Sequence, residues 1–223
     1  MSHFSHPPKM GRRSLIAASA TLAGILAIAI AVNGGVTVAD AATNCVVSIG
    51  VTQSPTTVTG TSANDTIDCG LADPGKTING NGGNDTITGT AFADTINGGD
   101  GNDTMTGGIG TDILNGGLGD DTGTGSAGND TLTGGGGDDT LTGSAGPDIL
   151  RGDANNDTLN GGVGNDTLDG GTGTDIISGN ADNDSLTGPP NDRASDTLNG
   201  GAGTDVCQGP GVAFPDTLVA CNP

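Results

Sequence analysis

Gly98-Gly99-Asp100-Gly101-Asn102-Asp103-Thr104-Met105-Thr106 is one unit of a pattern that runs through most of the chain. Asp85, Asp94, Asp103, Asp112, Asp121, Asp130, Asp139, Asp148, Asp157, Asp166, Asp175 and Asp184 stand nine residues apart without a slip. Two positions after each comes an apolar residue: Ile87, Ile96, Met105, Leu114, Leu132, Leu141, Leu150, Leu159, Leu168, Ile177 and Leu186, with Gly123 the one gap. Ahead of the Asp runs Gly-Gly-x-Gly-x, complete before Asp103, Asp112, Asp121, Asp139, Asp166, Asp175 and Asp205. Looser copies lie at Asp65, Asp196 and Asp216, with short insertions at 73–76, 189–193 and 210–213. A fixed period of this kind marks a solenoid, in which each unit is too small to bury a core alone and stacking builds one.

Each unit reads as a turn followed by a very short strand. The glycines permit backbone angles that a Cβ would forbid. The Thr-Ile-Thr and Thr-Leu-Thr ends are β-prone and alternate, so the apolar residue points inward and its neighbours outward. Two repeats then make one coil, and each turn stacks on the next but one, about 4.8 Å away. Gly123 is expected to leave a hole in the inward file that a leucine would fill to advantage.

The composition narrows the function classes. The chain has 223 residues and a net charge of −20, all 26 acidic residues are Asp, and there are 44 Gly, no Trp or Tyr and three Phe. That excludes a conventional aromatic-stocked enzyme core, a coiled coil and a nucleic-acid binder, which would need a basic surface. Lys9 to Arg13 form a basic segment, Leu15 to Val32 an apolar run, and Ala39-Asp40-Ala41 a small-x-small exit, the order of an export signal cut after Ala41 or Ala42. A retained anchor is the competing reading of this 18-residue run. The general secretory and twin-arginine routes both stay open at Arg12-Arg13. Cleavage would remove His3 and His6, the only histidines, and with them every imidazole-dependent mechanism. It would leave 25 Asp against Lys76, Arg151 and Arg193, with no further membrane span.

The nonapeptide Gly-Gly-x-Gly-x-Asp-x-apolar-x resembles the RTX, or hemolysin-type, calcium-binding repeat. The resemblance is strict over 80–187 and loose over about 60–219. Together with the export signal read at 1–41, it divides the rest of the chain into a lead-in cap at 42–59, the roll at 60–219 and a tail at 220–223. It implies an all-β fold, a right-handed parallel β-roll with two repeats per coil, secreted and folded around calcium. In such rolls the turn carbonyls and the Asp carboxylate hold the ions between stacked turns. Carried onto this chain, the ligands are the twelve in-phase aspartates together with Gly98, Gly99 and Gly101, Gly107, Gly108 and Gly110, Gly116, Gly117 and Gly119, Gly134, Gly135 and Gly137, Gly161, Gly162 and Gly164, and Gly170, Gly171 and Gly173. Six turns on each edge leave five gaps, hence roughly ten ions. Phe92, Asn155 and Asp182 replace the last glycine of their turns and put those three sites in doubt. The core is thin and the stacked carboxylates repel, so a hard dication with oxygen ligands is expected to supply the missing stabilisation.

The four cysteines allow three pairings. Cys45–Cys69 and Cys207–Cys221 are the expected ones, each closing a local loop at one end of the array, with Cys207 at an inward position. The functional expectation is a non-catalytic structural or matrix protein whose one named partner is calcium. Two alternatives compete. Enzymes with such repeats place a protease, lipase or epimerase domain ahead of the roll, whereas only Ala42–Thr59 precedes the first loose repeat here. An ice- or surface-binding face is suggested by Thr86/Thr88, Thr104/Thr106, Thr122/Thr124 and Thr140/Thr142, although β-propensity alone explains those rows and the opposite face is expected to show none.

Overall fold

The computed structural model describes residues 27–32, 35–40, 45–72, 74–188, 194–208 and 217–221. The basic segment Lys9–Arg13, the cleavage site after Ala41 or Ala42, the insertions at 189–193 and 210–213 and Asp216 lie outside the described residues. Within the segment expected to be a signal, Ala27–Val32 and Gly35–Asp40 pair antiparallel as a separate two-stranded sheet.

All regular structure among the described residues is β. Successive strands alternate between two ten-stranded sheets, so each strand pairs with the next but one. Thr104–Ile109 lies parallel to Thr122–Ala127 in one sheet, with Met105 opposite Gly123. Ile113–Leu118 lies parallel to Thr131–Gly136 in the other, with Leu114 opposite Leu132. This 18-residue coil is the β-roll expected from the period. The insertion at 189–193 leaves the stacking intact: Ile176 faces Thr197 and Leu186 faces Cys207, 21 residues on. At the N-terminal end the sense reverses, and Val46–Val47 and Thr52–Gln53 close the sheets by antiparallel pairing with Thr66–Asp68 and Thr57–Thr59.

The core is a double file, one apolar side chain per strand. Ile67, Ile87, Met105, Leu141, Leu159, Ile177 and Leu198 come from one sheet, and Val58, Ile78, Ile96, Leu114, Leu132, Leu150, Leu168 and Leu186 from the other, all buried. Gly123 corrects the expectation of a usable hole. A Cβ there would meet Leu141 Cδ2 at 3.1 Å and Leu132 Cδ2 at 3.6 Å, because neighbouring leucines already lean into the space.

Both disulfides are the expected local ones, Cys45–Cys69 and Cys207–Cys221. Cys45 and Cys69 are fully buried, and Cys207 packs against the end of the core. On the outer faces, Thr86, Thr104, Thr122 and Thr140 stand in register. The other sheet shows no threonine row but an asparagine one: Asn97 Nδ2 donates to Asn79 Oδ1 at 2.8 Å and Asn115 Nδ2 to Asn97 Oδ1 at 2.9 Å. The row was legible as asparagines 18 residues apart.

Candidate metal centre

The turn Gly134–Asp139 shows how the repeat builds its edge. Gly135 and Gly137, the second and fourth positions, have φ of 113° and 133°, in the region that favours glycine. The same two positions have positive φ in the other turns from Gly80 to Asp184, apart from Gly89–Asp94. Where glycine is absent, Asn81, Ser126, Ser144, Asp153 and Asn180 adopt this conformation at the second position, and Asn155 and Asp182 at the fourth. The turns of Asn155 and Asp182 therefore keep the common shape despite their substitutions. The Phe92 turn does not.

These angles aim carbonyls along the stack. The carbonyls of Gly99 and Gly101 press on the α-carbons of Gly117 and Gly119 in the next turn, where a Cβ would collide with them. The Gly117 and Gly119 carbonyls stand likewise against Gly135 and Gly137, and those of Ser144 and Gly146 against Gly162 and Gly164. At the first position, a Cβ on Gly98 would strike Asp103 Oδ2 and approach the Gly116 carbonyl at 2.8 Å. Gly107, Gly116, Gly134, Gly161 and Gly170 each have their own turn's Asp Oδ2 at the equivalent point. Carboxylate and carbonyl oxygens thus crowd one cradle that a side chain would fill.

The aspartates form two hydrogen-bonded ladders, one per edge. The Asp121 amide donates to Asp139 Oδ1 at 2.7 Å, and the Asp139 amide donates to Asp157 Oδ1 at 2.8 Å. The same bond runs Asp65, Asp85, Asp103, Asp121 and Asp157, Asp175, Asp196 on this edge. On the other it runs Asp94, Asp112, Asp130, Asp148, Asp166, Asp184, Asp205. Nothing in the period alone pointed to this bond, or to Asp196, read as a looser copy, standing level with the strict ones.

One oxygen of each carboxylate is thereby committed to the backbone. The other, Oδ2, is buried with no hydrogen-bond partner in Asp85, Asp103, Asp112, Asp121, Asp130, Asp139, Asp148, Asp157, Asp166, Asp184 and Asp205. A buried polar atom without a partner is expensive, and a charged one more so. Burial accordingly pushes the Asp85, Asp112, Asp139 and Asp148 carboxyls from 3.8 up to about 6 and those of Asp121, Asp157 and Asp166 up to about 7. The amide bond to Oδ1 opposes the rise and neighbouring aspartates reinforce it. Asp103, Asp130 and Asp184 are raised by the same burial.

Asp94 differs. Its Oδ2 accepts the Thr90 amide at 2.5 Å, as Asp65 Oδ2 accepts that of Thr61 at 2.6 Å. Among the described residues no three Asp, Glu, His or Cys side chains group closely enough to hold a metal by themselves. A cation in these gaps would take one Asp oxygen with backbone carbonyls, an all-oxygen set that suits calcium and not the softer transition metals. The free oxygens, the negative ladder and the carbonyl-lined cradle all fit such an ion.

A parallel solenoid with buried aspartate ladders between carbonyl-lined turns is a repeat roll built for hard cations. The chain belongs to the family of the RTX calcium-binding nonapeptide repeat, whose sequence model matches four times, at 79–114, 115–150, 151–186 and 192–209. No curated protein matches the chain.

Proposed function

We propose that this protein is an exported calcium-binding β-roll whose array orders as calcium neutralises the aspartate ladders, with a structural, non-catalytic role outside the cytoplasm. The observation that carries the proposal is the row of buried, partnerless Oδ2 atoms, which in Asp85, Asp103, Asp112, Asp121, Asp148, Asp157 and Asp184 share their place with a glycine carbonyl of the next turn. The ligands are Oδ2 of the in-phase aspartates with the turn carbonyls between which they lie. Asp175 belongs by its place in the ladder, Asp196 and Asp205 extend the set, and Asp94 is left out because Thr90 already satisfies it. When bound, calcium supplies positive charge and a many-oxygen coordination shell to each gap. Repeats of this family together with two disulfides favour an oxidising, extracellular setting. Among the described residues no helix is long and apolar enough to cross a membrane.

Calorimetric and circular-dichroism titrations with calcium, magnesium and chelator test the proposal. Cooperative gain of β structure at millimolar calcium is expected, as is usual for extracellular modules. A chain already fully folded in chelator, with no heat of calcium binding, would overturn it.

A further inference from the structure

The first aspartate turn on each edge departs from the rest in the same way. Gly60-Thr61-Ser62-Ala63-Asn64-Asp65 opens the edge that continues through Asp85, and Gly89-Thr90-Ala91-Phe92-Ala93-Asp94 opens the edge that continues through Asp112. Both begin Gly-Thr, where the turns from Gly98 to Asp184 begin Gly-Gly, Gly-Ser, Gly-Asp or Gly-Asn. A β-branched threonine resists the left-handed region, and neither Thr61 nor Thr90 adopts a positive φ.

The second peptide of these turns therefore presents its N–H inward. Thr61 donates to Asp65 Oδ2 through its amide at 2.6 Å and its hydroxyl at 2.9 Å. Thr90 donates its amide to Asp94 Oδ2 at 2.5 Å. The hydroxyls then brace the turns, accepting the amides of Ala63 at 3.2 Å and Phe92 at 3.0 Å. The oxygen that lacks a partner along the array is satisfied here by the chain itself.

A third departure falls at the same end. The ladder position before Asp94 holds buried Lys76, whose amide makes the usual bond to Asp94 Oδ1 and whose ammonium bonds the Pro55 carbonyl. That end of the row carries a lysine in place of the aspartate. The Cys45–Cys69 disulfide and the two antiparallel strands close the coil beneath it.

We infer that residues 45–72 and 74–94 form a stem that holds without calcium, with Thr61 and Thr90 satisfying two of its three turn carboxylates and only Asp85 Oδ2 left open where the stem meets the array, and that calcium-dependent folding proceeds from it toward the C-terminus. The inference rests on the calcium-dependent reading of the array. The stem presents finished sheet edges and Oδ1 contacts to the first metal-dependent coil, so the costly nucleus exists before calcium arrives.

Hydrogen exchange read by mass spectrometry on the full, oxidised chain in chelator and in calcium tests it. In chelator, amides of Thr57–Thr59, Thr66–Asp68, Thr77–Gly82 and Thr86–Thr88 should exchange at least about 100-fold more slowly than an unfolded chain. Those from Thr104–Ile109 to Thr197–Ala202 should exchange freely until calcium is added. Free exchange across 57–88 in chelator, with calcium still protecting the array, would overturn the stem and leave the calcium reading standing. Protection of the whole array in chelator would overturn both. The double variant Thr61→Gly/Thr90→Gly restores the Gly-Gly opening and should lose the protection of 57–88 in chelator but regain it in calcium. Unchanged protection in chelator would overturn the part assigned to the two threonines.

Discussion

Asp139→Asn should shift the stability of the roll in opposite directions with and without calcium. The substitution keeps an oxygen to accept the Asp121 amide, now at 2.7 Å, and removes the charge from the oxygen that has no partner. In the calcium-free roll that charge is a burden: burial, reinforced by Asp120, Asp138 and Asp153, raises the carboxyl from 3.8 to about 6. Two pH units correspond to about 3 kcal/mol, and screening at the roll's edge trims this to about 1–2 kcal/mol of stabilisation at neutral pH. In calcium the same change deletes an ionised ligand, a loss of about 1.5–3 kcal/mol, or roughly ten- to hundredfold in affinity at the affected gap. Asp138→Asn is the matched control. Asp138 is exposed, and its Oδ1 accepts the Asn156 amide at 3.0 Å, a bond an asparagine retains; Asn84 and Asn102 hold equivalent places in that outer row. Its effect should stay within about 0.5 kcal/mol in either state. Residual β structure in chelator and urea unfolding in millimolar calcium, both followed by circular dichroism, measure the two effects for each variant. Equal effects of the two substitutions, or destabilisation by Asp139→Asn in chelator, would refute the assignment of Oδ2 as a phased ligand.

The raised carboxyls set a pH dependence of opposite sign in the two states. Because the folded pKa values exceed the unfolded ones, the stability they contribute to the calcium-free roll is full below about pH 4 and is lost as pH rises through 6 to 7. Calcium binding requires the ionised form, so the calcium midpoint should rise as pH falls through the same window, readable by titration at a series of pH values. Gly123→Leu should destabilise the calcium-bound roll by about 1–3 kcal/mol, since the leucines around it leave no room, while Gly123→Ala should be felt much less; thermal unfolding compares them. Reducing Cys45–Cys69, which joins residues 24 apart, should cost about 3 kcal/mol, and non-reducing peptide mapping should recover this pair and Cys207–Cys221.

The period alone determined the architecture, because a residue's place in a one-dimensional stack is set by its phase. Given the nine-residue spacing, Leu114 had to lie over Leu132 and Asp121 over Asp139, and both do. The local disulfides follow from the same geometry, since an elongated roll keeps its two ends apart. What phase could not show was how a given turn folds. Phe92 drew notice as a poor substitute for glycine, yet the consequential residue is Thr90 two positions earlier, whose amide satisfies the Asp94 oxygen that its counterparts along the array leave without a partner. Asn155 and Asp182 looked equally suspect and adopt φ of 82° and 79° without altering their turns. Gly123 read as a vacancy because a pattern records which side chain is absent and not which neighbours lean across. The division of labour within each carboxylate, one oxygen on a backbone amide 18 residues earlier and one left facing the carbonyls, also needed the coils placed in three dimensions. Periodicity specifies which residues stack, whereas peptide orientation and packing between coils decide which of their atoms meet.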